Sequence, residues 1–94
     1  MKCPDEIAKI LLEIIYVGLL NIRGAANVGD AARCHSEADH IHDLPQMLMN
    51  YHPDWLKYYW RNHRANFIED SRGKGLERFE PLWDELKPFV ERIG

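Results

Sequence analysis

The chain has 94 residues, of which 46% are hydrophobic and 29% charged, and its net charge is −3. This length allows one small domain and excludes a multidomain enzyme, and the composition is that of a folded protein and not of a disordered one. Neither half of the sequence has the excess positive charge on which nonspecific nucleic-acid binding depends, so nucleic acid is disfavoured as a partner. We expect a single helical domain over residues 1–94.

The residue types favour helix over sheet. Threonine is absent, valine is scarce, and Leu, Ile, Ala, Glu, Lys and Arg are frequent. No segment of useful length alternates between apolar and polar residues, as a half-buried strand would. The sequence therefore predicts an all-α fold, a small irregular or orthogonal bundle of about four helices plus one short helix.

The first helix is predicted from Asp5, as the N-terminal cap, to about Ile22, with Gly24 as its stop signal. Apolar side chains cover nearly its whole circumference. The residues that interrupt them are Lys9, Glu13, Gly18 and Asn21. A helix that is apolar nearly all round must be buried nearly all round. Because so short a chain has little material to enclose it, we expect homodimerisation through residues 5–22, with enclosure by the other helices as the alternative.

Turn signals place the next two helices. Residues 24–29 are predicted to form a loop, after which Asp30 caps a second helix that ends near Asp43. A short helix is predicted from Pro45 to Asn50, because proline suits the first turn of a helix.

Two further helices are predicted in the second half of the chain. A third long helix is expected from about Trp55 to Ser71, and residues 71–75 are expected to form a flexible connection. Beyond this connection, an apolar pattern of helical period reaches the carboxyl end. Within it, Pro81 suits the start of a helix, and Pro88 is expected to end or kink it.

Residues 34–43 contain three of the five histidines. On a helix, His35, Asp39 and His42 project within an arc of roughly 60°. Two imidazoles and one carboxylate are a donor set for a divalent metal, which predicts a metal-binding protein or a metal-dependent hydrolase. The candidates for a fourth ligand are Glu13, His52 and His63. The alternative is a hydrogen-bonded pair of His35 and Asp39 beside a packed helix face.

Glu37 and His40 have the Glu-x-x-His spacing that recurs in di-iron carboxylate bundles. Those sites combine two such motifs with further glutamates, whereas this chain has one copy. The two residues also lie away from the side on which Ala31 and Ala38 are expected to pack. We therefore expect Glu37 and His40 to be solvated.

Aromatic and basic residues alternate at the start of the third long helix. Trp, Tyr and Arg are the residue types enriched at interface hot spots, although aromatics at helical spacing also pack in cores. Tyr58 lies off the apolar stripe that includes Leu56 and Tyr59, so it is expected at the surface. The pattern predicts that Trp55, Tyr58 and Arg61 contact a protein partner.

The sequence contains no complete catalytic group. Cys34 and His35 are neighbours in sequence, but on a helix their side chains project about 100° apart and do not meet. Two cysteines without a disulfide framework indicate reduced thiols and a cytoplasmic location. The apolar run 14–20 is short of the roughly 20 residues that a membrane span requires. The sequence thus predicts a small cytoplasmic interaction or regulatory module without catalysis, with the metalloprotein as the alternative.

Overall fold

The computed structural model describes the backbone of residues 2–63 and 76–93 and the side chains of residues 2–62 and 79–93. Every regular element within these ranges is helical, which confirms the all-α prediction. The elements are α1 (Asp5–Asn27), α2 (Ala31–Ile41), α3 (Leu44–Met49), α4 (Pro53–Tyr58), a π-helical turn (Tyr59–His63) and α5 (Leu76–Arg92). Since the π-helical turn continues α4, the described residues form four helices and the short helix α3.

Helix α1 is longer than predicted, because it continues past Gly24 to Asn27. A glycine inside a helix costs roughly 1 kcal/mol relative to alanine. Alanines follow it, however, and Ala25 is buried against the rest of the protein. The chain changes direction at Gly29, whose φ of 73° lies in the left-handed region that favours glycine. The predicted stop at Gly24 is therefore wrong.

Helix α2 begins where the sequence predicted. The Asp30 side chain accepts a hydrogen bond of 3.0 Å from the backbone N–H of Arg33, as an N-terminal cap does. The helix ends at Ile41, two residues before the predicted end. The short helix α3 begins one residue earlier than expected, and Met47 packs inward as predicted.

The third long helix begins at Pro53, two residues before the predicted start. Proline at the first position of a helix has the required φ. Its lack of an N–H costs no hydrogen bond there, because an N–H at this position has no acceptor within the helix. At Tyr59 the helix widens into the π-helical turn, where the Asn62 side chain donates to the Tyr58 carbonyl at 3.2 Å. The rest of this predicted helix, 64–71, and the predicted connection, 71–75, lie outside the described residues.

Helix α5 contains both prolines of the carboxyl-terminal pattern. Pro81 lies inside the helix and not at its start, and Pro88 does not end the helix, which runs on to Arg92. Each proline removes one N–H from the helix. Buried side chains before and after Pro88, Leu86 and Val90, tie both parts of the helix to the core, so packing outweighs this loss.

Helix α1 lies at the centre of the fold, in contact with α2, α3 and α5, and α5 also contacts α4 and the π-helical turn. The shared core joins the inner side of α1 to the helices around it. Its buried side chains are Cys3, Ile7, Ile10, Leu11, Ile14, Ile41, Leu44, Met47, Tyr51, Leu56, Tyr59, Phe79, Leu82, Trp83, Leu86 and Val90. None of the described helices is both long and apolar enough to cross a membrane.

Helices α1 and α2 approach each other closely at Gly18. A Cβ atom at this buried position would lie 2.7 Å from Cγ2 and 2.9 Å from Cδ1 of Ile41. Isoleucine branches at Cβ and has one strongly preferred rotamer in a helix, so its side chain yields little space. The absence of a side chain at Gly18 therefore lets Ile41 pack on the backbone of α1.

We expect Gly18→Ala to lower the free energy of unfolding by about 1–2 kcal/mol. The added methyl group overpacks the contact with Ile41, at a cost that exceeds the roughly 1 kcal/mol by which alanine favours a helix over glycine. Gly24→Ala is the matched control, because Gly24 lies in the same helix with nothing within 4 Å of an added Cβ. That variant should gain about 0.5–1 kcal/mol.

Urea denaturation of the two variants and the wild type measures both changes. Equal stabilisation by Gly18→Ala and Gly24→Ala would contradict the close approach of α2 to α1.

Candidate functional site

The side chain of His35 pairs with that of Asp39, and the side chain of His42 pairs with that of the neighbouring Asp43. His35 Nε2 lies 3.4 Å from Asp39 Oδ2. The ring of His42 faces other oxygen atoms, with Nδ1 2.8 Å from the backbone oxygen of Asp39 and Nε2 3.0 Å from Asp43 Oδ1. Within the part of the chain that the structure describes, no three His, Cys, Asp or Glu side chains are grouped to hold a metal ion. The three-ligand metal site stays a prediction.

These pairs lie at the surface, where the four side chains are between 58% and 83% exposed. Exposed ion pairs contribute only about 0–1 kcal/mol, because water screens them. Of the candidate fourth ligands, His52 stacks on Trp55 with ring centroids 5.0 Å apart, and Glu13 is half-buried on α1. The side chain of His63 lies outside the described residues.

Glu37 and His40 are buried, so the prediction that they are solvated is wrong. Their exposed fractions are 3% and 7%, whereas Ala31, expected on the packed side of α2, is exposed. The reason lies in the contact at Gly18, which turns Ile41 towards α1. Glu37 lies one helical turn before Ile41 on the same face of α2, so Glu37 is buried together with Ile41.

The side chains of Asn21, Arg33, Glu37 and His40 form a polar cluster between α1 and α2, which we call the interhelix cluster. Burial raises the pKa of Glu37, and the Asn21 amide and the charges of Arg33 and His40 lower it again in part. Arg33 Nε lies 3.6 Å from Glu37 Oε1. Glu37 Oε2 and Asn21 Nδ2 have no partner in good hydrogen-bonding geometry, so the contacts within the cluster offset only part of the cost of burying the charged carboxylate.

We expect the free energy of unfolding of the Glu37→Gln variant to increase relative to that of the wild type as the pH rises from about 4 to about 7. Because the folded-state pKa of Glu37 lies above its ordinary value of 4.5, the wild type has the full benefit of the protonated carboxyl below that value. It loses this benefit as the pH rises through the folded-state pKa, whereas glutamine does not titrate.

Urea denaturation at several pH values measures this difference. Glu80→Gln, which removes an exposed carboxylate from α5, controls for the general effect of losing one negative charge. The account of the interhelix cluster fails if Glu37→Gln and Glu80→Gln show the same pH profile.

Two cysteines are the candidate nucleophiles, and both are free thiols. Burial, and then the nearby Asp5 carboxylate, raise the pKa of the Cys3 thiol. Since the thiolate is the reactive form, Cys3 is a poor nucleophile at neutral pH. Cys34 donates from Sγ to the Ile22 carbonyl at 3.6 Å, which ties α2 to α1.

The chain matches no protein-family model, no curated protein and no solved structure.

The aromatic residues of α4 and the π-helical turn divide between core and surface. Tyr59 is buried, which raises its pKa to about 12, and Trp60 is half-buried and donates from Nε1 to the Trp83 carbonyl at 3.2 Å. In contrast, Trp55 is 48% and Tyr58 63% exposed. The exposure predicted for Tyr58 is therefore confirmed.

Arg61 is also exposed, as a contact residue for a partner would be. The partner contact of Trp55, Tyr58 and Arg61 stays a prediction.

Helix α1 exposes a line of apolar side chains on the side away from the core. Leu12, Tyr16 and Leu19 are 55%, 63% and 54% exposed, and we call them the α1 outer stripe. A shallow groove of about 400 Å³ lies beside its amino-terminal half. The residues that line this groove are Asp5, Ala8, Lys9, Leu12, Glu13 and Tyr16. The sequence signal for this surface was the nearly unbroken apolar circumference of the helix.

Proposed function

We propose that the protein is a small association module without catalytic activity, and that it forms a homodimer through α1. The observation that carries this proposal is the α1 outer stripe, whose three large apolar side chains are each more than half exposed. Leu12, Tyr16 and Leu19 are spaced by four and three residues, so they follow one another along one side of the helix. Contiguous exposed apolar surface of this kind is typical of interaction sites.

A second copy of α1 is the occupant that we propose for this surface. The helix has 23 residues and is therefore about 35 Å long, which provides a long, straight surface for side-by-side packing. Twofold dimers are the commonest symmetric assemblies, and each copy then contributes the same surface to the interface.

The charges at the two ends of the stripe favour an antiparallel pair. Asp5 and Arg23 are exposed and fall on the same side of the helix as Leu12 and Tyr16. When two copies of α1 pack antiparallel about a point midway between Leu12 and Tyr16, Leu12 faces the partner's Tyr16. The same arrangement places Asp5 opposite the partner's Arg23. One register of the two helices therefore pairs Leu12 with Tyr16 and also pairs the opposite charges. A parallel pair would instead place like charges side by side.

The two free thiols support a reducing compartment as the site of action, and we include a cytoplasmic location in the proposal.

We expect Leu12→Glu to weaken dimerisation at least roughly tenfold, because it places a charge at the centre of the apolar contact in both copies. Met49→Glu is the matched control, since Met49 is a 75% exposed apolar residue on α3, outside the α1 outer stripe. Sedimentation equilibrium over a range of protein concentrations measures the dissociation constant, and circular dichroism verifies that both variants remain helical. A wild-type protein that is monomeric at every concentration would refute the proposal.

The antiparallel arrangement makes a separate prediction. Asp5→Arg and Arg23→Asp should each weaken the dimer by about two- to fivefold, because each opposes like charges at both ends of the interface. The combined Asp5→Arg/Arg23→Asp variant should recover most of the affinity, since opposite charges face each other again. These differences should shrink in 1 M salt, where the Debye length is about 3 Å. Additive losses in the double variant would contradict the antiparallel pairing.

A further inference from the structure

We propose that a pocket between α3 and α4 binds a small quaternary ammonium cation. The pocket has a volume of about 310 Å³ and is separate from the α1 outer stripe. The residues that line it, which we call the aromatic pocket, are Asp43, Gln46, Met47, Trp55, Tyr58 and Tyr59. Ligand pockets in proteins start at about 300 Å³, so this one suits a small molecule or a single side chain.

The chemistry of the lining favours a cation. Tryptophan and tyrosine rings attract cations through the negative potential of their faces, and trimethylammonium groups are bound in this way in aromatic cages. The rings of Trp55, Tyr58 and the buried Tyr59 line the pocket, and Asp43 is the one charged side chain among the described residues of the lining. A carboxylate beside aromatic rings attracts positive charge and repels anions.

The lining also favours an organic cation over a metal ion. Hard divalent cations require six or more oxygen ligands or tightly held waters, whereas the part of the lining that the structure describes offers one carboxylate, from Asp43, and one side-chain amide, from Gln46. A quaternary ammonium group with methyl substituents instead presents those methyl groups, which pack against aromatic rings and the Met47 side chain. Its positive charge is spread over these methyl groups, so little hydration is lost on binding.

Two features leave the pocket ready for a ligand. The Trp55 ring is stacked on His52, with ring planes 29° apart, which limits the ring's freedom before a ligand binds. Asp43 precedes α3, but its side chain makes no capping hydrogen bond there. Its contact with His42, at 3.0 Å, lies at the exposed surface, where a ligand competes easily with it.

Titration with choline, followed by tryptophan fluorescence and by NMR shifts of the Trp55 and Tyr58 rings, tests the proposal. We expect saturable binding of choline and of tetramethylammonium. The neutral analogue 3,3-dimethyl-1-butanol has the same shape as choline without its charge, and it should bind at least roughly fivefold more weakly. Equal binding of choline and its neutral analogue would overturn the proposal, as would the absence of saturable binding of either cation.

Matched variants locate the site. Tyr58→Ala should weaken choline binding at least roughly fivefold, whereas Val28→Ala should leave it unchanged. Val28 is an apolar residue that is 79% exposed, and it lies outside both the aromatic pocket and the α1 outer stripe. Asp43→Asn should weaken binding about threefold or more, and Asp84→Asn, which removes an exposed carboxylate from α5, should not. Equal effects within either pair of variants would place the binding elsewhere and overturn the assignment.

A free quaternary ammonium compound and a trimethylated lysine present the same chemical group. A short peptide that contains trimethyllysine, titrated beside choline and beside the unmethylated peptide, distinguishes these sources. Either ligand supports the cation site when its binding is lost in Tyr58→Ala and retained in Val28→Ala. Binding of the unmethylated peptide with equal affinity would contradict recognition of the quaternary ammonium group.

Discussion

The contact of Ile41 with the backbone at Gly18 determines how α2 lies against α1. It turns one face of α2 inward, and Glu37 and His40 are buried on that face although both are polar. Because α3 and α5 also pack on α1, the core covers the inner sides of this helix. The α1 outer stripe is what the arrangement leaves exposed, so the packing that organises the monomer also creates the surface through which we propose that it dimerises.

The two proposed sites use different physical interactions. The α1 outer stripe is apolar and has opposite charges near its ends, which suits a second copy of the same helix. The aromatic pocket combines rings with one carboxylate, which suits a small cation. Since no residue belongs to both sites, either proposal can fail without the other.

The sequence predicted the helical class, the Asp30 cap and the exposure of Tyr58, because these depend on local composition and helical spacing. It failed where contacts between helices override local signals. Gly24 is a stop signal in isolation, but burial of Ala25 keeps α1 helical beyond it. The burial of Glu37 and His40 depends on which face of α2 meets Gly18, and the periodicity of α2 alone favoured its alanines. Likewise, the aromatic pocket brings Asp43 beside Trp55 and Tyr58 through the turn between α3 and α4, which no motif in the sequence reveals.

The most direct test of the central claim is an isotope-filtered NOE experiment on a mixture of labelled and unlabelled protein, which detects contacts between copies only. An antiparallel dimer through α1 predicts intermolecular NOEs between the Leu12 methyl groups and the ring of the partner's Tyr16, together with the rotational correlation time of a dimer. A monomer's correlation time at millimolar concentration, without any intermolecular NOE from Leu12, Tyr16 or Leu19, would contradict it.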